Sequence, residues 1–199
     1  MAIRNNETHI AGIHLLDAAT GEYNLSYVQK YLQGTKWKLV HLAMRQQGLM
    51  VKPSNQKNIK GIADLVRPDV SYINRQRGSG TRMLLDFELA KAGIETSSII
   101  GYEKEVGTHM AVAASVMAGA ADVGMGVKAA ALALGLEFIP VAEEEYDLLL
   151  NFAADDDREE LLLGILKSSE FKSAVEELGG YDLTRAGEIL LEGGHSHAD

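Results

Sequence analysis

Cysteine is absent from this chain, so neither a disulfide framework nor a thiolate metal site is open to it. Long apolar runs are missing too: none approaches the ~20 residues of a membrane-spanning helix, which excludes a membrane span. Positive charge is scarce. Lys and Arg total 19 against 28 Asp and Glu, for a formal net charge of −9. That balance disfavours non-specific nucleic-acid binding, and no basic block of nucleic-acid type occurs. Arg4 and Glu7 ahead of the short run "HIAGIHLL" do not have the design of a signal peptide, so the chain reads as cytoplasmic.

Catalytic and metal motifs are also missing. No glycine-rich stretch is followed by the Lys-Ser/Thr of a nucleotide phosphate loop, and neither G-x-S-x-G nor H-E-x-x-H is found. "GMGVKA" (124–129) matches a dinucleotide fingerprint, but its strand is short and its helix weak, and a tight β–α turn accounts for it. His14, His41 and His109 lack metal-ligand spacing and read as hydrogen-bonded structural histidines. "HSH" near the C-terminus reads as part of a mobile end. No catalytic residue, metal site or cofactor is expected.

What is present is an ordinary globular composition, 46% hydrophobic and 24% charged, long enough for one large domain or two small lobes. Strand-like and helix-like segments alternate through the middle. "DVSYIN" (69–74), "SSIIGYE" (97–103), "ADVGMG" (121–126), "LEFIPVA" (136–142) and "YDLLLNF" (146–152) read as strands. Met83, Phe87, Ala90 and Ile94 recur at helical spacing, and Thr108 caps a helix carrying Val112, Val116 and Met117 that stops at Gly119. "DDDREELLLGILK" begins with acidic residues suited to a helix N-terminus. "SSEFKSAVEEL" puts Phe171, Val175 and Leu178 on one face, and "LTRAGEILL" forms a last short helix. The alternation predicts an α/β layered sheet with much parallel pairing.

The most informative stretch is "NRQRGSGTRMLLD" (74–86). A Gly-Ser-Gly-Thr turn entering a helix presents free backbone N–H groups at the positive end of the helix dipole. Gly78 and Gly80 allow close approach, Ser79 and Thr81 add hydroxyl donors, and Arg75, Arg77 and Arg82 supply charge. This chemistry suits a carboxylate, a phosphate or a tetrahedral oxyanion. The plainer reading is an N-cap flanked by solvated arginines. Thr108 with His109 opens a second possible anion cradle. "HLLDAATGEYN" (14–24) is rich in turn formers, and in "MRQQGLMVKPSN" (44–55) Arg45 and Gln46 end an apolar strand. "NNETHIAGIH" (5–14) also echoes "AGAADVGMGV" (118–127), as two like lobes would, the first without its opening strand–helix–strand–helix.

Together "HLLDAATGEYN", "RQQGLMVKPSN", "INRQRGSGTRMLLD", "GTHMAVAASVMAGAADVGMG" and "GLEFIPVAEEEYDLLL" resemble the intracellular periplasmic-binding-protein-like domain. That family is related to molybdate- and tungstate-binding proteins, and is commonly fused to helix-turn-helix regulators or to molybdopterin molybdotransferase. The resemblance implies a type 2 periplasmic-binding-protein-like α/β fold, two lobes joined by crossing strands near 67–71 and 143–148. Residues 1–68 and 147–199 would form lobe 1, N-terminally truncated, and residues 69–146 lobe 2.

The function implied is ligand sensing for molybdate, tungstate or a molybdopterin-related compound, linked to molybdenum cofactor metabolism or its regulation. Ser79, Gly80 and Thr81 would donate to oxyanion oxygens, with Gly78 in the turn and Arg75 or Arg77 supplying charge. Thr108 and His109 would add donors, and Tyr146 would reach in from the hinge. If His14, Asp17 and Glu22 also line the site, the carboxylates favour a ligand with N–H donors, such as a pterin. The alternatives are an enzyme or accessory subunit of molybdenum cofactor biosynthesis, and the solute-binding component of an oxyanion transporter. A regulatory or cofactor-synthesis partner domain is compatible with the resemblance. A truncated lobe 1 would expose a strand edge at "HIAGIH", from which a homo-oligomer is expected.

Overall fold

The computed structural model describes residues 2–153 and 156–194; His195 and His197 of the "HSH" stretch lie outside them. In chain order its strands are β1 (Ile10–Ile13), β2 (Trp37–Val51), β3 (Tyr72–Arg75), β4 (Glu105–Val106), β5 (Val123–Val127), β6 (Glu137–Leu150), β7 (Tyr181–Asp182) and β8 (Ile189–Gly193). The helices are α1 (Leu25–Tyr31), α2 (Gly80–Lys91), α3 (His109–Ala118), α4 (Lys128–Ala133), α5 (Arg158–Lys167) and α6 (Ser169–Glu176). Among the described residues no helix is long and apolar enough to cross a membrane.

The chain divides into two compact units. Unit 1 comprises Met1–Met44, Glu144–Glu177 and Tyr181–Asp199, and unit 2 comprises Arg45–Glu143 with Leu178–Gly180. The long strands β2 and β6 carry the chain from one unit to the other. The first passage therefore falls at Met44/Arg45, earlier than the 67–71 crossing expected from sequence. Residues 67–71 belong within unit 2, where Ser71 donates to Asp122 Oδ2 from both its N–H (2.8 Å) and its hydroxyl (2.6 Å).

Unit 2 is an α/β layer in the strand order β2-β5-β3-β4. β5 is buried at every position, as a strand covered on both faces must be. It runs antiparallel to the second half of β2, from Gln47↔Val127 to Val51↔Val123, and parallel to β3. Parallel neighbours need crossovers, and α2 and α3 supply them. α3 starts where the Thr108 hydroxyl accepts the Ala111 N–H at 3.0 Å and stops at Gly119, as its capping residues predict. Val112 and Val116 enter a core with Met50, Ile73, Ala121 and Val127, whereas Met117 stays exposed.

Four local expectations need correcting. In α2 the buried face carries Leu84, Leu85 and Leu89, while Met83 and Ala90 face solvent. The helix has two apolar stripes, and the sheet takes the one with leucines, each stabilising by ~1.5–3 kcal/mol when buried. Residues 97–103 are not a strand, because Gly101 turns the chain at φ +92° and brings it against the Tyr72 carbonyl. The segments 136–142 and 146–152 are one strand, since β6 continues through "EEE". Likewise β2 does not end at Arg45–Gln46 but runs on to Val51 as the partner of β5.

In unit 1, β1 pairs antiparallel with β6 from Ile10↔Leu150 to Ile13↔Asp147. β8 pairs antiparallel with the first half of β2, with an irregularity between Leu39 and Val40. "LTRAGEILL" is thus a turn and a strand rather than a helix; pairing with β2 overrides its helical propensity. One core gathers Ile3, Val28, Leu32, Trp37, Leu39 and Leu149; another gathers Val40, Leu150, Phe152 and Leu166. α5 and α6 form as their sequences predict, and Phe171 and Val175 pack against Ala43, Leu183 and Ala186. α6 ends at Glu176, so Leu178 leaves that face and is exposed.

Candidate functional site

In unit 2 the turn after β3 is built as a cradle. Gln76 N–H donates to the Val106 carbonyl (3.1 Å) and Ser79 N–H to the Gln76 carbonyl (3.1 Å), which fixes the turn between β3 and α2. Gly78 takes the left-handed conformation at its exposed tip (φ +81°). Ser79 is the N-cap of α2, its hydroxyl oxygen accepting the Arg82 N–H at 3.3 Å. The first intrahelical bond runs from Met83 N–H to the Ser79 carbonyl, so the N–H groups of Gly80 and Thr81 lie ahead of the helical ladder. The Thr81 hydroxyl is buried beside the Gln47 side-chain amide, 3.2 Å away. It reaches a protein partner, where a ligand oxygen was expected.

The three arginines have different fates. Arg77 is a surface residue, its side chain 73% exposed and paired with Glu103 at 2.6 Å. Arg82 is buried in structure, 2.9 Å from Glu105 and with its guanidinium 4.6 Å from the centre of the Tyr102 ring. Arg75 is only 8% exposed, and its bonds go to neutral acceptors: the Gln76 amide oxygen (3.1 Å) and the Gly107 carbonyl (3.2 Å). Among the described residues it has no carboxylate partner. Burial, and then the Arg45 cation, hold its pKa below the ordinary value. A buried guanidinium hydrogen-bonded only to neutral acceptors gains from an anion beside it.

The second cradle residue, Thr108, caps α3 and is exposed. His109 is half-buried, and its ring lies so near β5 that a Cβ at Gly126 would stand 3.3 Å from Nδ1. Of the unit 2 residues expected at a site, Arg75 ends β3 while Gly80 and Thr81 begin α2, on the two sides of the turn. Arg77 is engaged elsewhere.

In unit 1, His14 and Tyr146 do come together. Their rings stack with centroids 5.3 Å apart, and His14 Nδ1 lies 2.9 Å from the buried Glu144 Oε1. Asp17 serves its own loop: its carboxylate accepts from the Ser26 hydroxyl (2.8 Å) and the Ala19 N–H (3.0 Å). Glu22 is exposed. His41, read as structural, is buried against Asp147 at 2.9 Å.

The Ser26 hydroxyl, with the Ala19 N–H behind it, lowers the Asp17 pKa below 3.8. A depressed folded-state value stabilises the fold above the unfolded pKa, and that contribution is lost as pH falls through the folded one. Ser26→Ala is expected to raise the Asp17 pKa toward 3.8, measurable by carboxyl-carbon NMR titration; an unchanged midpoint would show the hydroxyl to be irrelevant.

Sequence reading missed Gln47 and Glu144. Gln47 follows Arg45 and Gln46 in a polar run, and nothing local marks it as the buried member. Glu144 hides in "EEE", between the two strands expected at 136–142 and 146–152, and only the continuous β6 buries that position.

Residues 1–167 match the model of the PBP superfamily domain. The chain is 38% identical over 183 residues to YvgK of Bacillus subtilis (strain 168), a protein described as uncharacterised; the match covers 92% of this chain and 59% of that protein. This chain thus spans little more than half the length of that relative. Among solved structures it resembles the probable amino-acid transporter extracellular-binding protein YtmK from Bacillus subtilis, with a TM-score of 0.58, 14% identity, and coverage of 90% of this chain and 74% of that one. It also resembles the ancestral amino acid-binding protein AncCDT-1, with a TM-score of 0.55, 17% identity, and coverage of 88% and 70%. At these identities the structural likeness speaks for the fold alone.

Proposed function

The chain belongs to the PBP superfamily and has its type 2 periplasmic-binding-protein-like α/β fold, and from that premise we propose that it is a ligand-binding domain whose unit 2 cradle takes a small anion. The observation that carries this reading is Arg75. Its guanidinium is buried, hydrogen-bonded only to neutral acceptors and near the Arg45 charge. An anionic group would complete it, with the Gly80 and Thr81 N–H groups as further donors.

Two kinds of ligand supply that group. The motifs around "INRQRGSGTR" support molybdate, tungstate or a molybdopterin-related compound, in a sensor tied to molybdenum cofactor metabolism. The names of the structural relatives support an amino acid bound through its carboxylate. Both share the same anchor, which is a binding anchor.

The test is a thermal-shift series with molybdate, tungstate, phosphate and the common L-amino acids against matched chloride. A compound at ~100 times its Kd stabilises the fold by ~2.7 kcal/mol. Stabilisation by one class and not the other would assign the ligand chemistry. No response to any of these compounds would remove the small-anion reading.

A further inference from the structure

Unit 1 contains a buried polar chain that the anion cradle does not use. Asn24, Asp147 and His41 are each at most 1% exposed. Asp147 Oδ1 lies 2.9 Å from His41 Nδ1, and Oδ2 accepts from Asn24 Nδ2 at 2.7 Å. The other end of the Asn24 amide, Oδ1, accepts the Leu15 N–H at 2.7 Å, while the Asn24 N–H donates back to the Leu15 carbonyl at 2.9 Å. Asn24 holds φ +62°, a strained conformation for a side-chain-bearing residue, at the position that caps α1.

These bonds close the loop that begins at His14. Leu15 and Asn24 clamp its base, Leu16 bridges Tyr23, and Asp17 N–H donates to the Glu22 carbonyl at 2.8 Å. The clamp depends on which way the Asn24 amide points. A carboxylate accepts only, so Asp147 requires the NH2 end to face it. The oxygen is thereby turned toward Leu15 N–H, which needs an acceptor. On the far side His41 donates from Nδ1, and its Nε2 is buried with no hydrogen-bond partner among the described residues. Leaving that atom unsatisfied is costly, and the bond to Asp147 is kept in spite of it.

We propose that Asp147 is a positioning residue: its carboxylate fixes the polarity of the Asn24 amide and so holds the His14–Asn24 loop closed. This polarity relay does not rest on the ligand-binding reading above.

The test reads amide exchange at Leu15 by NMR, with Val40 and Leu149 as reference amides in the same unit. Asp147→Asn has one oxygen for two donors: with that oxygen kept on the His41 Nδ1–H, its NH2 group meets the Asn24 NH2 and the Asn24 contact fails. Leu15 exchange is expected to accelerate roughly ten- to hundredfold relative to the references. Asn24→Asp keeps an acceptor for Leu15 but sets two carboxylates face to face. Leu15 is expected to lose protection there too, and to regain it as pH falls and one carboxyl takes up a proton. The double variant Asn24→Asp/Asp147→Asn restores the pairs linking His41, residue 147, residue 24 and Leu15 with the charge moved one step, giving up only the 3.4 Å bond from residue 24 to the Glu145 carbonyl, and returns Leu15 to near the parental rate.

A purely structural role would speed exchange at all three amides and would show neither rescue. If Asp147→Asn does not fold, Asn24→Asp and the double variant decide. Parental protection of Leu15 in Asn24→Asp at neutral pH, or a double variant no better protected than the singles, overturns the proposal. None of these outcomes depends on finding the ligand.

Discussion

Replacing Arg75 by alanine is expected to weaken binding of whichever anion stabilises the protein by about ten- to a hundredfold, the loss of one charge-assisted hydrogen bond of ~1.5–3 kcal/mol. The same change in Arg77 should alter the affinity by no more than about threefold. The two residues are two positions apart in one motif, so sequence alone gives no reason to separate them. Burial separates them: Arg75 is 8% exposed with neutral partners, whereas the Arg77 side chain is 73% exposed and paired with Glu103. Surface pairs of that kind contribute ~0–1 kcal/mol.

A second readout keeps the result interpretable. Arg75 in the unliganded protein is a desolvated charge near another cation, so Arg75→Ala should leave the melting temperature without ligand unchanged or raised. Calorimetric titration with the stabilising anion, alongside melting of the free protein, measures both. If Arg77→Ala loses binding and Arg75→Ala does not, the assignment of the anchor is wrong.

Gly124→Ala is expected to cost ~1–3 kcal/mol of stability, the usual penalty for forcing a methyl group into a packed core. The new Cβ would stand 2.4 Å from Val112 Cγ1, 2.8 Å from Ile73 Cγ2 and 2.9 Å from the Ile73 carbonyl oxygen. The last contact is backbone, in the strand paired with β5, and cannot be relieved by a rotamer change. The Val112 contact is relieved by α3 moving off β5, and α3 begins at Thr108 and His109. The substitution should therefore lower the midpoint of urea unfolding and also shift the NMR signals of those two residues. Ala133→Gly, at the far end of α4, serves as a control for a helix residue changed without a clash. Parental stability in Gly124→Ala would mean that α3 can move off the sheet at little cost.

The glycines of "GMG" show how far the sequence carries. Read alone they fit a dinucleotide fingerprint or a tight turn. In the structure Gly124 is a point of close approach to α3, and Gly126 leaves room for Met50 and His109. Neither use can be told from the sequence, because the residues that press on each glycine come from distant elements. The alternation of strands and helices was legible, and so were the caps at Ser79, Thr108 and Gly119. These are local effects, fixed by side chains within a turn of where they act.

What failed in the reading depended on long-range pairing. "EEE" looked like a break between strands, yet β6 runs through it and buries Glu144. "LTRAGEILL" had helical spacing, yet β2 recruited its second half as β8.

By itself, then, the sequence determined an α/β architecture, the start and stop of α3, and the place of the glycine-rich turn that opens α2. Those rest on periodicity, capping and turn chemistry, which act over a few residues. Only the tertiary structure decided which arginine keeps its charge uncompensated, that Thr81 answers to Gln47, and that Asp147 stands behind Asn24. Each of these depends on which distant segments meet in a water-poor interior. A charge or an amide there takes its meaning from its partners, and they lie as far as 123 positions away in the chain.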